Sequence, residues 1–250
     1  MSWRSSVQRA VVAVLIAAPG AAHAATVVGG TDLLTGASAN QLESWLNSGS
    51  LQFTNIFDKA PGNSSFDFHK AADGKGPTVF VMEATLQSGG PTHIIGGYNP
   101  QSWNSSGNYN VTLDPIDRTA FIFDLSTGNR HGQILGSTGQ YQTYNVGSFG
   151  PTFGGGHDIF VNTNLADGYL YPWSYCSPVE SNQCFFALNF LGGDHSFPNQ
   201  YINIGRLEVF SVYPLSPVPL PGALVLFGTG FGVMSLVGWW RRRRGVEATA

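Results

Sequence analysis

The two ends of this chain constrain its fold most, because each carries an uncharged apolar segment close to arginines. Near the N-terminus, Arg4 and Arg9 precede an apolar run at residues 10–18, and residues 22–24 are Ala-His-Ala. A positive stretch, a short apolar run and small residues at a cleavage site are typical of a secretory signal peptide. We predict a signal peptide at residues 1–24. The alternative is an uncleaved anchor, although the run is short for a membrane span.

The C-terminal apolar segment is longer. Residues 222–240 contain no charged side chain, and a cluster of four arginines follows directly: Arg241, Arg242, Arg243 and Arg244. Nineteen residues in a helix span about 28 Å, close to the thickness of the hydrocarbon core, and arginines favour its cytoplasmic side. We predict a transmembrane helix at 222–240, held in the lipid bilayer, and a basic cytoplasmic tail at 241–250.

A proline motif precedes this segment within a linker at residues 213–221. Val218, Pro219, Leu220 and Pro221 form an alternating sequence that favours an extended, exposed chain. The order of proline motif, apolar segment and arginine cluster resembles the PEP-CTERM family of sorting tails, and its VPLPA-type variant more closely. Gly222 departs from the variant, which usually has alanine there.

This resemblance implies a partner and a location. The partner is an exosortase-type membrane protease of a Gram-negative bacterium, often one that makes exopolysaccharide, which is a second expected partner. The expected location is the cell envelope or cell surface, with anchoring at the inner membrane before processing. The alternative is a plain tail anchor that is never processed, since an apolar helix alone suffices for insertion.

The charge of the middle of the chain argues against one class of partner. Between the two ends lie six basic residues, from Lys59 to Arg206, and 14 acidic residues, from Asp32 to Glu208, which give a net charge of −8. Such a surface repels phosphate backbones, so we expect no nucleic-acid binding.

Short apolar runs separated by turn residues fill the middle of the chain. Strands are predicted at residues 77–82, 93–98, 119–125, 184–188 and 201–212. One early helix is predicted, with Ser38 as its cap and Leu42, Trp45 and Leu46 on one face. The pattern predicts a mainly β (α+β) fold: a two-sheet antiparallel β-sandwich with small flanking helices, plus the C-terminal transmembrane helix.

Several short motifs in this region occur in a specific order. They lie at residues 42–46, 95–98, 120–125, 150–159 and 207–210. The order resembles that of the TLDc domain, which occurs in eukaryotic oxidation-resistance proteins and in exported bacterial proteins. The resemblance implies a TLDc-like sandwich at 38–212, after a linker at 25–37, and it brings no agreed catalytic residues.

Cys176 and Cys184 are the only cysteines in the chain. Because an exported domain meets an oxidising environment, a disulfide between them is expected. The alternative is a redox-active pair, but the spacing is not that of a CxxC motif.

Glycine-rich loops carry the other polar candidates. Residues 154–158, Gly-Gly-Gly-His-Asp, predict a tight buried turn; the alternative, a phosphate-binding loop, lacks the Lys-Ser/Thr of a P-loop. Two His/Asp pairs, His157 with Asp158 and Asp194 with His195, are weak candidates for a mixed metal site if their loops meet. No catalytic residue and no cofactor are predicted.

Aromatic residues in Gly/Asn/Ser-rich stretches allow two interpretations: they stack on sugar rings, or they fill the core of the sandwich. They are Tyr98, Trp103, Tyr109, Tyr141, Tyr144, Tyr171, Trp173 and Tyr175. The sequence therefore predicts an exported, sorted, non-enzymatic binding or structural module. The alternatives are a metal-dependent extracytoplasmic hydrolase and a factor that protects against oxidants.

Overall fold

The structure, a computed structural model, describes residues 24–176 and 200–215. The predicted signal peptide up to residue 23 and the chain from residue 216 onward lie outside these ranges, as do Cys184, Asp194 and His195. The strands are β1 Thr26–Val28, β2 Leu51–Asp58, β3 Thr78–Leu86, β4 His93–Asn99, β5 Asn108–Val111, β6 Phe121–Asp124, β7 Asn129–Gln133, β8 Tyr141–Asn145, β9 Ile159–Val161, β10 Asp167–Leu170, β11 Tyr175–Cys176 and β12 Gln200–Pro214. The α-helices are α1 Gly36–Leu46 and α2 Ser65–Ala72.

Ten of these strands form one sheet. Its main order is β1-β2-β12-β3-β4-β6-β7-β11, with β10 attached to β12 and β9 attached to β10, while β5 and β8 form a separate two-stranded sheet. The pairing of β1 with β2 is parallel. The predicted two-sheet antiparallel β-sandwich is therefore corrected in part: two sheets are present, but the large one contains a parallel pair and the other has only two strands.

The length of β12 explains why ten strands belong to one sheet. The strand has 15 residues and an irregularity in its pairing with β3 between Ile204 and Leu207. Before the irregularity β12 also pairs with β10. It therefore joins β9 and β10 to the strands of the main order in one hydrogen-bonded sheet.

The large sheet buries apolar side chains on both faces. Along β3, Phe80 and Met82 belong to one core cluster with Phe153 and Ile159, as the alternation of side chains requires. Val79 and Val81 belong to a second cluster, to which α1 contributes Ala39 and Leu42. Burial of each large apolar side chain contributes about 1.5–3 kcal/mol, so both layers stabilise the fold.

The first helix begins earlier than its sequence suggests. Thr35, not the predicted Ser38, is the cap of α1, and its hydroxyl accepts from the backbone N–H of Ser38. Both residue types cap well, so the pattern alone could not place the boundary. Asn47 ends the helix in the left-handed region, with φ of 48°.

The predicted linker at residues 25–37 contains structured chain. It includes β1, and both Leu33 and Leu34 are buried. The buried carboxylate of Glu208 accepts hydrogen bonds from the Thr31 hydroxyl and the Asp32 backbone N–H. These bonds hold the segment against β12.

The predicted fold class is also corrected in its transmembrane helix. Among residues 24–176 and 200–215, no helix is long and apolar enough to cross a bilayer. The two α-helices have 11 and 8 residues, against the roughly 20 that a span requires. The fold is therefore mainly β with two sheets and two short helices. The segment at 222–240 lies outside the described residues.

Candidate functional site: an aromatic face

A row of aromatic rings crosses the strands β5, β8, β9, β10 and β12 on one face. We call the following residues the aromatic face: Tyr109, Tyr144, His157, Phe160, Tyr169 and Tyr201. Each of the first five is partly exposed, and Tyr201 is 56% exposed.

Strand alternation places these rings outside. In β9 and β10, Phe160 and Tyr169 face outward while Ile159, Val161 and Leu170 are buried in the core. Because successive side chains of a strand point to opposite faces, the rings line one surface.

Register brings the rings into contact. Tyr109 lies opposite Tyr144, Phe160 opposite Tyr169, and Tyr169 opposite Tyr201. Ring centroids are 4.4 Å apart in the first pair and 4.7 Å in the second, and both pairs are stacked. Cross-strand aromatic pairs of this kind stabilise a sheet by about 0.2–1 kcal/mol each.

His157 connects the two parts of the row. Its imidazole stacks between Tyr144, at 5.3 Å, and Phe160, at 5.7 Å. Its Nδ1 lies 2.8 Å from the Tyr169 hydroxyl, and partial burial lowers the pKa of His157, which favours the neutral ring. Its backbone has φ of 62°, a left-handed conformation that is unfavourable for a residue with a side chain and that clusters at functional sites.

Asp158 holds the adjacent loop in place. Its buried carboxylate accepts hydrogen bonds from the backbone N–H groups of Trp173, Ser174 and Tyr175 at 2.8–3.0 Å. Burial raises the pKa of Asp158 to about 7, and these hydrogen bonds act in the opposite direction. The carboxylate thus fixes residues 173–175 against the turn that carries His157.

The glycine-rich turn is filled by protein atoms. Gly154 has φ of 84°, and a Cβ there would collide with the Asp158 carboxylate. A Cβ on Gly156 would lie 2.5 Å from that of Trp173. The glycines therefore allow close packing of a tight turn, as the sequence predicts, and nothing in this geometry resembles a phosphate cradle.

The two metal candidates within the described residues, His157 and Asp158, do not form a shared metal site. His157 and Asp158 are adjacent, but the first stacks in the aromatic face and the second is buried among backbone donors. In the described part of the chain, no three His, Cys, Asp or Glu side chains are placed to hold a metal ion. Asp194 and His195 are outside that part, so the two-loop site remains a hypothesis.

The predicted aromatic residues divide between core and surface. Trp103 and Tyr175 are buried in the first core cluster, and Tyr98 packs against the second. Tyr109, Tyr141 and Tyr144 lie in or beside the aromatic face, whereas Tyr171 and Trp173 stack on each other at 5.9 Å. The sequence analysis did not single out Phe160, Tyr169 and Tyr201. The alternation of polar or aromatic residues with Gly, Leu and Ile at 167–170 and 201–204 is the signal that could have placed Tyr169 and Tyr201 on the outer face.

Cys176 is buried in β11. Its predicted partner Cys184 is not among the described residues, so the disulfide stays a prediction.

The family model described as the TLDc domain matches residues 27–213, about three quarters of the chain and nearly all of the span from β1 to β12. No curated protein matches the chain.

Proposed function

The chain belongs to the TLDc domain family, and from that premise we propose that it is an exported, non-enzymatic module that binds polysaccharide at its aromatic face. The observation that carries the proposal is the position of His157, strained in its backbone and inserted between Tyr144 and Phe160 in a continuous row of partly exposed rings. Aromatic side chains offer an apolar body with a polar tip, which suits the CH-bearing faces and hydroxyl groups of sugars.

The charge of the domain supports polysaccharide over the other common stacking ligand. Proteins that bind single-stranded nucleic acid also stack bases on aromatic rings, but they add a basic groove for the phosphates. Here acidic residues outnumber basic ones 14 to six between the two ends of the chain. Four of the six are already engaged. Lys59 and Arg118 donate to backbone carbonyls, Arg206 pairs with Asp32, and Arg130 lies over the Phe121 ring.

The hydrogen bonds near the face support binding over catalysis. The Asp158 carboxylate is occupied by three backbone donors, and His157 Nδ1 lies against the Tyr169 hydroxyl. A general base needs a free acceptor within reach of a reacting proton, and a nucleophile needs such a base beside it. These two groups instead fix the shape of the face.

Export and sorting form a separate part of the proposal. The apolar run at 10–18 and the Ala-His-Ala sequence at 22–24 support cleavage before Ala25, and the Val-Pro-Leu-Pro motif at 218–221 supports processing by an exosortase-type protease. Intact masses of the protein from the medium and from membranes of its native host test this. A released species that starts at Ala25 and ends near Pro217 is expected. A chain that keeps Met1, or one found only with Arg241–Arg244 attached, contradicts export or sorting respectively.

The binding proposal is tested with the purified full chain in a depletion assay on insoluble polysaccharide. His157→Gly removes the central ring and relieves the left-handed backbone, so we expect at least a tenfold loss of bound protein. The thermal midpoint is measured alongside, because the imidazole also packs against its neighbours, and the assay is run below it. Leu113→Ala is the matched control, because Leu113 is 73% exposed and lies outside the face. Equal binding by both variants and the unaltered chain contradicts the proposal, as does the absence of any binding.

A further inference from the structure

We propose that the β10–β12 end of the aromatic face is a subsite for one neutral sugar unit, built from Tyr201, Asp167 and Asn203. This inference rests on the proposed function, because it names the class of polysaccharide and the residues that select it. It assigns the stacking to one ring of the aromatic face, Tyr201, and adds two polar groups beside it.

Tyr201 supplies a ring face that its neighbour leaves open. Along most of the row each ring stacks on its neighbours, which covers part of its face. Tyr169 and Tyr201 instead meet at an interplanar angle of 72°, with centroids 6.4 Å apart. Tyr201 is also the most exposed ring of the face, at 56%. It is therefore the ring best placed to stack on a sugar.

Two polar side chains stand beside this ring. Asp167 and Tyr169 are two residues apart in β10, and Asn203 and Tyr201 are two apart in β12, so each pair shares one side of its strand. Asp167 lies directly opposite Asn203. Residues two apart are about 6.6 Å from each other along a strand, a distance comparable to the length of one sugar unit.

The carboxylate of Asp167 is held in position by its own loop. The side-chain amide of Asn162 donates to Oδ1 at 3.0 Å, and that of Asn164 donates to Oδ2 at 2.8 Å. Each carboxylate oxygen accepts more than one hydrogen bond, so both keep capacity for a sugar hydroxyl. Asn203 is exposed, and its amide makes no hydrogen bond to any other residue in the described ranges.

Charge selects a neutral ligand here. A uronate or sulfate group in contact with Asp167 would place two negative charges together, which is unfavourable. The ammonium group of Lys59 donates to the carbonyls of Leu165 and Ile204, and the guanidinium of Arg206 pairs with Asp32. A hydroxyl, in contrast, donates to the carboxylate and accepts from the Asn203 amide. The chemistry therefore fits neutral sugars and excludes acidic ones.

The test measures affinities of the full chain for soluble neutral polymers, dextran and galactomannan, and for the acidic polymer polygalacturonate. We expect binding to at least one neutral polymer, and about a tenfold loss for Tyr201→Ala and for Asn203→Ala, the size expected for one stacking contact or one polar contact. Tyr213→Ala is the matched control, because Tyr213 lies on the same strand and is 47% exposed. Asp167→Asn should bind polygalacturonate more tightly than the unaltered chain does.

The outcomes separate this inference from the proposed function. Neutral-polymer binding that is lost in His157→Gly but unchanged in Tyr201→Ala and Asn203→Ala overturns the subsite and leaves the proposed function standing. Tighter binding of polygalacturonate than of either neutral polymer overturns the charge argument in the same way. Binding of none of the three polymers, together with none to insoluble polysaccharide, overturns both.

Discussion

Asp158→Asn is the most informative single change in the domain, because it removes a titrating group and keeps its shape. Asp158 is fully buried, and its carboxylate accepts hydrogen bonds from the backbone N–H groups of Trp173, Ser174 and Tyr175. Burial raises its pKa in the folded protein to about 7. In the unfolded chain the ordinary value of about 3.9 applies.

The sign of the resulting pH dependence follows from proton binding. Between about pH 4 and pH 7, Asp158 keeps its proton in the folded state and loses it in the unfolded state. The free energy of unfolding contributed by this group therefore falls as pH rises through this window and is constant above it. A difference of about three pKa units corresponds to roughly 4 kcal/mol, a large part of the stability of an ordinary domain.

His131 makes the comparison with a variant necessary. Burial lowers its pKa from 6.5 to about 4, so the unfolded state binds more protons in that window. Stability contributed by His131 thus rises with pH there and opposes the effect of Asp158. The two contributions partly cancel in the unaltered protein. They separate in Asp158→Asn, where the Asp158 contribution is absent and those of the histidines His131 and His157 remain.

Urea unfolding from pH 4 to pH 8, followed by intrinsic fluorescence, measures the effect. The stability of the unaltered protein minus that of Asp158→Asn should decrease by roughly 4 kcal/mol between pH 4 and pH 7 and then remain level. A difference that is constant, or that increases with pH, refutes the reasoning. It would mean that the three backbone hydrogen bonds outweigh burial and keep Asp158 ionised throughout.

Three further substitutions test the packing around the turn and the strands. Gly154→Ala should lower the free energy of unfolding by about 1–3 kcal/mol more than Gly128→Ala. Both glycines have positive φ, but only a Cβ on residue 154 would collide with Asp158. Equal losses of the free energy of unfolding in urea titrations contradict this. Arg118→Lys should cost about 1–3 kcal/mol, because the guanidinium donates to four backbone carbonyls that an ammonium group cannot all reach; an unchanged thermal midpoint would exclude that role. Glu208→Gln should cost about 1–3 kcal/mol by placing an amide donor against the donors of residues 31–33, and an unchanged urea midpoint would show that the contact is dispensable.

The strands with apolar alternation could be predicted from the sequence. The predicted bounds of β3, β4, β6 and β12 lie within a few residues of the observed ones, because each strand presents apolar side chains at regular intervals. The small sheet could not be found in this way, because the buried side chains of β5 and β8 are largely polar. Asn110 donates to the Thr143 hydroxyl, and Gln142 donates to Asn99, so mutual hydrogen bonds replace apolar burial.

The candidate site was only partly predictable. The sequence marks Tyr109 and Tyr144 as aromatic residues in a polar setting, but their contact depends on the register of two strands, and the two residues are 35 positions apart in the chain. The place of His157 depends on its left-handed backbone, which the preceding glycines do not reveal. Strand register and backbone conformation are fixed only in the folded sheet, so the ring contacts and the position of His157 cannot be predicted from a local pattern of residue types.

The central claim, that polysaccharide binds at the aromatic face, is tested most directly by hydroxyl-radical footprinting of the full chain with and without a bound neutral polymer. Tyr201 and Tyr213 form an internal pair, since they are 56% and 47% exposed and lie roughly 35–40 Å apart along β12. The account predicts that the polymer slows oxidation of Tyr201 and Tyr169 and leaves that of Tyr213 unchanged. Equal protection of Tyr201 and Tyr213, or protection of Tyr213 alone, would contradict it.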